Sequence, residues 1–312
     1  MFESFLVALR VVIPMALLMG VGAGIRMAGI IDRTTMRSVD KMTFRVFMPT
    51  LLFKNIYETS FSNMDGGELL FSVVGLVLVF LLALLLPPRL IKDHNQAASV
   101  GQAIIRSNYI LFGVAVAESI YGAGNAGPVA LLGAIVVPAT NALSVVILEM
   151  NRSGRANPGQ ILLSILKNPM VIATMLALAC KGVQLAIPDM LYTVVRDIAG
   201  VTTTISFISL GVSLNLGEVR SNRRPLVIGT VLRMVLVPMI FLPVAVALGF
   251  RGTILCALMV LFAAPAAIAS YPMAVAMGAD GQLAGQLVCC TTVTSVFTIF
   301  GFTFLFQTLG ML

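Results

Sequence analysis

Two of the ten apolar stretches in this sequence of 312 residues are interrupted near their middle. The fourth stretch is interrupted at Arg106-Ser107-Asn108-Tyr109, followed by Gly113, and the ninth is interrupted from Pro265 to Pro272. Unwound backbone at the depth of a bilayer is tolerated only where it is buried in protein or lines a cavity. Two interrupted segments in corresponding positions of two halves therefore indicate a transport site.

The composition places the chain in a bilayer. Hydrophobic residues make up 59% of the chain and charged residues 11%, whereas soluble domains contain about 25% charged residues. The stretches, here called segments 1 to 10, run approximately over 8–28, 42–61, 68–88, 97–121, 127–149, 161–187, 197–216, 225–249, 252–277 and 281–308. Each is long enough to span a hydrocarbon core about 30 Å thick. The sequence predicts an all-α polytopic membrane protein with ten transmembrane helices.

Basic residues are distributed unevenly between the connections. The connections between segments 1–2, 3–4, 5–6 and 7–8 carry eleven of them: Arg33, Arg37, Lys41, Arg89, Lys92, Arg152, Arg155, Lys167, Arg220, Arg223 and Arg224. The other face receives only Arg10, Arg196 and Arg251. The positive-inside rule therefore predicts that the eleven lie in the cytoplasm and that both termini lie on the non-cytoplasmic side.

Five segments in each half make the second half inverted relative to the first. Each broken segment ends on a glycine turn, and a polar patch follows in the next segment. The turns are Gly122-Ala123-Gly124 and Gly278-Ala279-Asp280-Gly281, and the patches are Thr140-Asn141 and Thr291-Thr292. We expect a 5+5 inverted repeat, with residues 1–155 as the first repeat and residues 156–312 as the second.

Short motifs along the chain share one resemblance. They are Phe47-Met48-Pro49-Thr50-Leu51-Leu52-Phe53, Asn108-Tyr109-Ile110-Leu111-Phe112-Gly113, Ser209-Leu210-Gly211-Val212-Ser213-Leu214, and Ala264-Pro265 with Met277-Gly278-Ala279-Asp280. They resemble helices 2, 4, 7 and 9 of the auxin efflux carrier family, which includes plant PIN carriers and bacterial permeases assigned to malonate or malate. The resemblance covers essentially the whole chain and extends to the bile acid/sodium symporter superfamily.

The resemblance implies an architecture and a mode of transport. Helices 4 and 9 of such a protein cross where they are unwound. Helices 1, 2, 6 and 7 form a scaffold, commonly dimeric, and helices 3–5 and 8–10 form a transport domain that moves like an elevator. The bacterial relatives imply the bacterial inner membrane as the location, with lipid and a second copy of the chain as partners.

The sequence departs from the family pattern at one position of segment 4. Relatives have proline two residues after the helix 4 glycine, and this chain has Ala115. We therefore expect segment 4 to be less sharply broken than segment 9, where Pro265 and Pro272 bracket the break. Polar recognition groups are expected mainly on segment 4, and the more rigid unwound backbone on segment 9.

Polar residues around the two interruptions are the candidates for substrate binding. Asn108 comes first, because an amide donates and accepts hydrogen bonds without the insertion cost of a charge, beside a half-helix N-terminus with partial positive charge. In the resemblance it matches the asparagine that contacts a substrate carboxylate; its alternative role is an interhelical hydrogen bond. The other candidates are Arg106, Tyr109, Gly113, Asn141, Ser209, Pro265, Ser270, Tyr271 and Pro272.

Charged residues inside the segments are open to both a functional and a structural interpretation. A buried arginine costs at least ~2.5–3.5 kcal/mol to insert, so Arg106 either attracts an anion or pairs with Glu118 or the cytoplasmic interface. Lys54 and Glu58 are four residues apart, where they form an ion pair or reach for the membrane interface. Glu118, Lys54 and Glu58 are the candidates for proton or ion coupling, and Arg233 is interpreted as a structural anchor.

The leading functional hypothesis is a secondary transporter of a small organic anion, a mono- or dicarboxylate, with H+ or Na+ as the possible coupling ion. A passive channel or facilitator is the alternative. An intramembrane enzyme needs a motif such as HExxH, and the sequence has a single histidine, His94, on a charged connection. The net charge of +7 is spread over the connections without a basic run, which argues against nucleic acid. No metal site or other cofactor is expected.

Overall fold

A computed structural model describes residues 2–59, 66–152 and 158–312. Within these ranges the regular structure is helical, which confirms the predicted all-α class. The predicted boundary between the two repeats, after residue 155, lies outside the described residues, as does Arg155.

Helices make up most of the described part of the first five apolar segments. They are α1 (Phe2–Met27), α2 (Arg33–Met42), a π-helical turn (Thr43–Phe47), α3 (Met48–Glu58), α4 (Gly66–Leu85), α5 (Pro87–Leu90), α6 (His94–Ile105), α7 (Tyr109–Tyr121) and α8 (Gly127–Arg152). Segment 2 begins earlier than predicted, because the Asp32 side chain accepts a hydrogen bond from the N–H of Thr35 and caps α2. Arg37 and Lys41 are therefore helical residues and not loop residues.

Helices also cover segments 6 to 10. They are α9 (Pro158–Lys167), α10 (Pro169–Gly182), α11 (Asp189–Ser213), a 3-10 turn (Leu216–Val219), α12 (Arg223–Val231), a π-helical turn (Leu232–Leu236), α13 (Val237–Ala247), α14 (Gly252–Ala263), α15 (Ser270–Met277) and α16 (Gly281–Thr308). Segment 7 also begins earlier than the predicted residue 197, since α11 starts at Asp189, directly after Pro188.

Several of these helices are suited to a bilayer. Among the described residues, five stretches are long and apolar enough to cross a membrane by length and composition: Gly66–Leu90, Gly127–Met150, Asp189–Ser213, Arg223–Ala247 and Gly281–Thr308. Four further apolar helices are shorter: Val12–Met27, Tyr109–Tyr121, Pro169–Gly182 and Gly252–Ala263. The chain is thus an all-α membrane protein, while the count of ten spans and the 5+5 repeat stay predictions.

Hydrogen bonds between connections of distant segments define two ends of the bundle. At the end that carries the basic connections, here called the basic end, Arg26 donates to the carbonyl of Leu214 at 3.3 Å, and the amide of Gln96 donates to Asn222 at 3.2 Å. At the opposite end, here called the far end, the N–H of Gly252 donates to the carbonyl of Met311 at 2.8 Å. The C-terminus therefore lies at the far end, at the start of segment 9.

Segments 1 and 7 pack with their backbones in close contact. A Cβ on Gly22 would lie 2.1 Å from the carbonyl oxygen of Ile208, and one on Gly211 would lie 2.0 Å from that of Met19. The glycines at these two positions let α1 and α11 approach closely, as small residues do at membrane helix interfaces.

The half-helices α6 and α14 occupy the centre of the bundle. Every residue of α6 from Ala97 to Ile105 is buried, as is every residue of α14 from Leu255 to Ala263. The C-terminal ends of these two helices lead directly to the two interruptions.

Candidate functional site

The two interruptions meet and pair through their backbones. An isolated antiparallel bridge joins Ser107 to Ala266. The N–H of Asn108 donates to the carbonyl of Pro265 at 2.8 Å, and the N–H of Ala267 donates to the carbonyl of Arg106 at 3.0 Å. Segments 4 and 9 therefore cross at their breaks, as the resemblance implied, and the unwound backbone satisfies part of its hydrogen-bonding capacity across the crossing.

The two breaks differ in length as predicted, whereas the position of Pro272 differs from the prediction. The break in segment 4 comprises residues 106–108 only, and the break in segment 9 comprises residues 264–269. The segment without the expected proline thus has the shorter break. Pro272 does not bracket the break in segment 9, because it is the third residue of α15. Proline is tolerated there since the first N–H groups of a helix have no intrahelical acceptor.

Gly113 also lies outside the break. It belongs to α7, and a Cβ at this position would lie 2.4 Å from Cγ1 of Val129 and 3.4 Å from Cγ1 of Val260. The glycine therefore allows α7 to pack closely against α8 and α14.

Segments 5 and 10 each support the break of the segment before them. Arg106 donates from Nη2 to Oδ1 of Asn141 in α8. In α16, Oγ1 of Thr291 accepts a hydrogen bond of 3.1 Å from the N–H of Ala266. The predicted polar patches of the two halves thus occupy equivalent places beside the crossing.

Four half-helix ends meet at the crossing, and they carry opposite partial charges. The C-terminal ends of α6 and α14 present carbonyl groups with partial negative charge, and the N-terminal ends of α7 and α15 present N–H groups with partial positive charge. The balance of charge at the crossing therefore depends on which side chains lie beside these ends.

Arg233 lies beside both C-terminal ends. This residue of the π-helical turn in segment 8 is only 1% exposed. Its guanidinium donates to the carbonyls of Ala264 at 2.9 Å, Ile104 at 3.0 Å and Leu261 at 3.1 Å. It therefore joins three segments and places a full positive charge where the two half-helices are negative.

Arg106 is a second buried cation at the crossing. It is 4% exposed and ends α6. Its hydrogen-bond partners among the described side chains are neutral, since Nη1 donates to Sδ of Met273 and Nη2 to Oδ1 of Asn141. The predicted alternative, a pair with Glu118, is wrong: the Glu118 carboxylate accepts a hydrogen bond from the N–H of Gly124 at the end of α7. Neither buried arginine has a carboxylate within ion-pair distance among the described residues.

Several buried polar atoms near the crossing have no hydrogen-bond partner among the described residues. They are Nδ2 of Asn108, the hydroxyl of Ser270, and both side-chain amide atoms of Gln102. The Tyr109 hydroxyl is unpaired as well, but the Tyr109 ring lies beside Gly133 of α8, away from the break residues. Asn108 is the N-cap of α7, but its side chain makes no capping bond. Because a buried unpaired polar group costs about 1–3 kcal/mol, a cluster of them indicates a place for a polar ligand.

A carboxylate that the sequence reasoning missed joins two predicted site residues. Asp40 in α2 is 1% exposed, and it accepts hydrogen bonds from the hydroxyl of Tyr271 at 2.9 Å and from Oγ of Ser209. The available signal was its spacing: Asp40 is four residues after Met36 and four before Phe44, both buried, and therefore lies on the apolar face of the helix.

A cavity of about 720 Å³ reaches from the far end toward the crossing. Its mouth is formed by residues at helix ends, among them Thr59, Gly127 and Thr253, and its inner wall is mostly apolar, with Ile110 and Val137. Ile110 is two residues from Asn108, and Val137 is one helical turn from Asn141. The lining residues belong to the helices beside the breaks, and none of the break residues is among them.

The remaining charged candidates lie at the far end. Lys54 and Glu58 form the predicted ion pair at 2.9 Å. Glu58 also accepts a hydrogen bond of 2.9 Å from the hydroxyl of Tyr192, so these contacts join segment 2 to segment 7. None of the three candidates for ion coupling, Glu118 included, is in contact with the crossing.

An all-helical membrane protein with two broken segments that cross at a polar centre has the architecture typical of a secondary transporter. The model of the membrane transport protein family matches residues 7–303. The chain belongs to this family, which is the family of auxin efflux carriers and PIN-like carriers. Comparison with curated proteins gives no match.

Proposed function

We propose that the chain is a secondary active transporter of a small organic anion, a mono- or dicarboxylate, that binds at the crossing of segments 4 and 9. One observation carries the proposal: unpaired polar atoms of Asn108 and Ser270 lie near the crossing, together with two buried arginines that lack carboxylate partners among the described residues. Hydrogen-bond donors and uncompensated positive charge are what a carboxylate requires.

The helix dipoles favour the same sign of ligand. Arg233 donates to carbonyls at the C-terminal ends of α6 and α14, which leaves the N-terminal ends of α7 and α15 as the uncompensated dipole ends. Helix N-termini bind anions through free N–H groups and the macrodipole. Asn108, at the start of α7, supplies an amide donor at the same position.

The cavity supports a substrate with an apolar part. Its wall is lined by Ile110, Ala134 and Val137, among others. A ligand whose carboxylate lies at the crossing would direct its remaining atoms into this space, and a volume of about 720 Å³ is within the range of small-molecule sites, roughly 300–1,000 Å³.

The transport cycle that we propose is alternating access of the elevator type. Segments 1, 2, 6 and 7 form the scaffold, through which two copies pair, and segments 3–5 and 8–10 carry the substrate. The cavity opens at the far end, while Asp40, Tyr271 and Ser209 join segments 2, 7 and 9 on the side of the basic end. A closed side opposite an open cavity favours a carrier over a channel. We place the protein in a bacterial inner membrane with the basic end in the cytoplasm.

The first experiment is a thermal-shift screen of the purified protein against malonate, malate, benzoate and phenylacetate. A ligand that binds only the folded state raises the unfolding temperature. We expect at least one carboxylate to do so, and expect the shift to be lost in Asn108→Ala. The matched control is Asn125→Ala, because the Asn125 side chain donates to the carbonyl of Tyr121 at the far end. This control should keep the shift.

The second experiment measures flux in liposomes. A carrier shows saturable uptake of the labelled carboxylate and counter-transport when unlabelled carboxylate is present on the opposite side. The proposal is contradicted if none of the four compounds binds or moves under any ion gradient. Ohmic single-channel currents would exclude the carrier in favour of a channel.

A further inference from the structure

We propose that Arg233 is a built-in counter-charge that occupies the position of a coupling metal cation, so that substrate binding at the crossing does not depend on Na+. The proposal rests on the proposed function, because it concerns the same crossing. It narrows the choice of coupling ion, which the sequence leaves open between H+ and Na+, and it assigns a positioning role to a residue that the sequence interpretation treats as an anchor.

The geometry of the guanidinium carries the inference. In transporters with broken helices, unwound carbonyls and the C-terminal ends of half-helices are the groups that coordinate a coupling cation. In this chain the corresponding carbonyls are those of Ile104, Leu261 and Ala264, and each accepts a hydrogen bond from Arg233 at 2.9–3.1 Å. These oxygens already face a full positive charge.

The local fold directs Arg233 to this place. Residues 232–236 form a π-helical turn between α12 and α13. Such single π-turns inside helices are frequent at functional sites. Insertion of a buried arginine is costly, and buried arginines pair with backbone carbonyls and mark ion or substrate pathways. Arg233 is 1% exposed, so the surrounding protein encloses its guanidinium.

The consequence for the substrate is electrostatic. A cation that arrives from solution would have to bind together with the anion, which couples the two. A tethered guanidinium gives the same neutralisation of the half-helix C-termini at all times, because arginine keeps its proton. The N-terminal ends of α7 and α15 are then available to an anion without a second ligand.

The test compares sodium with choline at equal ionic strength and pH. We expect the unfolding temperature of the substrate-free protein to be the same in the two salts. We also expect uptake of malonate, malate, benzoate and phenylacetate to be unchanged by the replacement. A saturable stabilisation by Na+, or uptake that requires Na+, overturns the proposal.

Variants of Arg233 test the positioning role. Arg233→Gln removes the charge, and we expect carboxylate affinity to fall, with a Kd that is roughly tenfold higher or more. Arg233→Lys keeps the charge and should bind more tightly than Arg233→Gln, an ordering that loss of packing alone does not produce. Arg251→Gln is the matched control, since Arg251 donates to the carbonyls of Val246 and Phe250 away from the crossing.

The outcomes separate this inference from the proposed function. If none of the four carboxylates binds in either salt, the proposed function fails, and the salt comparison on the substrate-free protein still tests the role of Arg233. If carboxylates bind but folded Arg233→Gln binds them as tightly as the wild type does, the inference fails and the proposed function stands. Where Arg233→Gln does not fold, the wild-type comparison of sodium with choline decides.

Discussion

The phenolic hydroxyl of Tyr271 donates a hydrogen bond of 2.9 Å to Oδ2 of Asp40 across 231 positions of sequence. Tyr271 is the second residue of α15, and Asp40 lies in α2. Ser209 of α11 donates to the other carboxylate oxygen. In the proposed elevator, this contact joins the moving segment 9 to scaffold segments 2 and 7, and it has to break before the substrate can leave toward the basic end.

Tyr271→Phe removes one of the two donors to the Asp40 carboxylate. We expect a loss of about 1–3 kcal/mol in the free energy of unfolding, because a buried acceptor is left without its partner. Thermal unfolding in detergent measures the loss as a lower unfolding temperature.

The matched control is Tyr192→Phe. It deletes the same kind of bond, but the partner, Glu58, has a side chain that is 43% exposed and retains Lys54. Water can replace the lost donor there, so the unfolding temperature should fall less. An equal decrease of the unfolding temperature in the two variants would show that the buried Tyr271–Asp40 hydrogen bond stabilises the fold no more than the exposed Tyr192–Glu58 bond does.

The sequence predicted the features that depend on local residue type. An interruption at Asn108 and another at Pro265 follow from polar residues and proline inside apolar runs, and both residues take part in the crossing. The Lys54–Glu58 ion pair follows from a spacing of four on a helix. These predictions needed no knowledge of which segments are neighbours.

Contacts between distant segments could not be predicted from local residue type. The partners of Arg233 are backbone carbonyls of segments 4 and 9, and no side-chain pattern marks a carbonyl as an acceptor. Asp40 was missed because the apolar stretch of segment 2 begins only at residue 42, while the Asp32 cap starts the helix at Arg33. Helix boundaries are set by capping groups, which hydropathy does not measure.

Because segments 1 and 7 are in close backbone contact, one added methyl group at Gly211 should destabilise the fold. Gly211→Ala places a Cβ 2.0 Å from the carbonyl oxygen of Met19, so α1 and α11 must separate. We expect a loss of about 1–3 kcal/mol, the usual range for an overpacked site. The unfolding temperature in detergent reports the change.

Gly24→Ala is the control for that substitution. Gly24 lies in α1, and a Cβ there meets no atom within 4 Å. Alanine favours a helix over glycine by about 1 kcal/mol, so this variant should be neutral or more stable. A stable Gly211→Ala protein would mean that the two helices do not need their close approach.

Substitution of Arg106 should weaken carboxylate binding and leave the fold unchanged. Arg106→Gln removes a buried charge whose partners, Asn141 and Met273, are both neutral. Hydrogen bonds to charged groups contribute about 1.5–3 kcal/mol, so carboxylate affinity should fall by roughly tenfold or more. Titration by thermal shift or calorimetry gives the Kd.

Arg106→Lys distinguishes charge from shape at the same position. An ammonium keeps the charge but lacks the planar fork that reaches two partners, and its Kd should lie between those of wild type and Arg106→Gln. Wild-type affinity in Arg106→Gln would assign Arg106 a structural role only.

The cavity predicts which substrates a larger side chain will reject. Ala134 lies in its wall and is 8% exposed, so Ala134→Phe places a phenyl ring in the space that we assign to the apolar part of the ligand. Phenylacetate and benzoate should lose affinity, whereas malonate, which is held at the crossing by its carboxylates, should lose less. One methylene in an apolar pocket is worth about 1–3 kcal/mol. Exclusion of a whole ring should therefore raise the Kd of the aromatic acids measurably more than that of malonate. An equal loss of affinity for the aromatic and the small acids would mean that the apolar part of the substrate does not lie in the cavity. An unchanged Kd for all four acids would mean that the cavity is not part of the binding site.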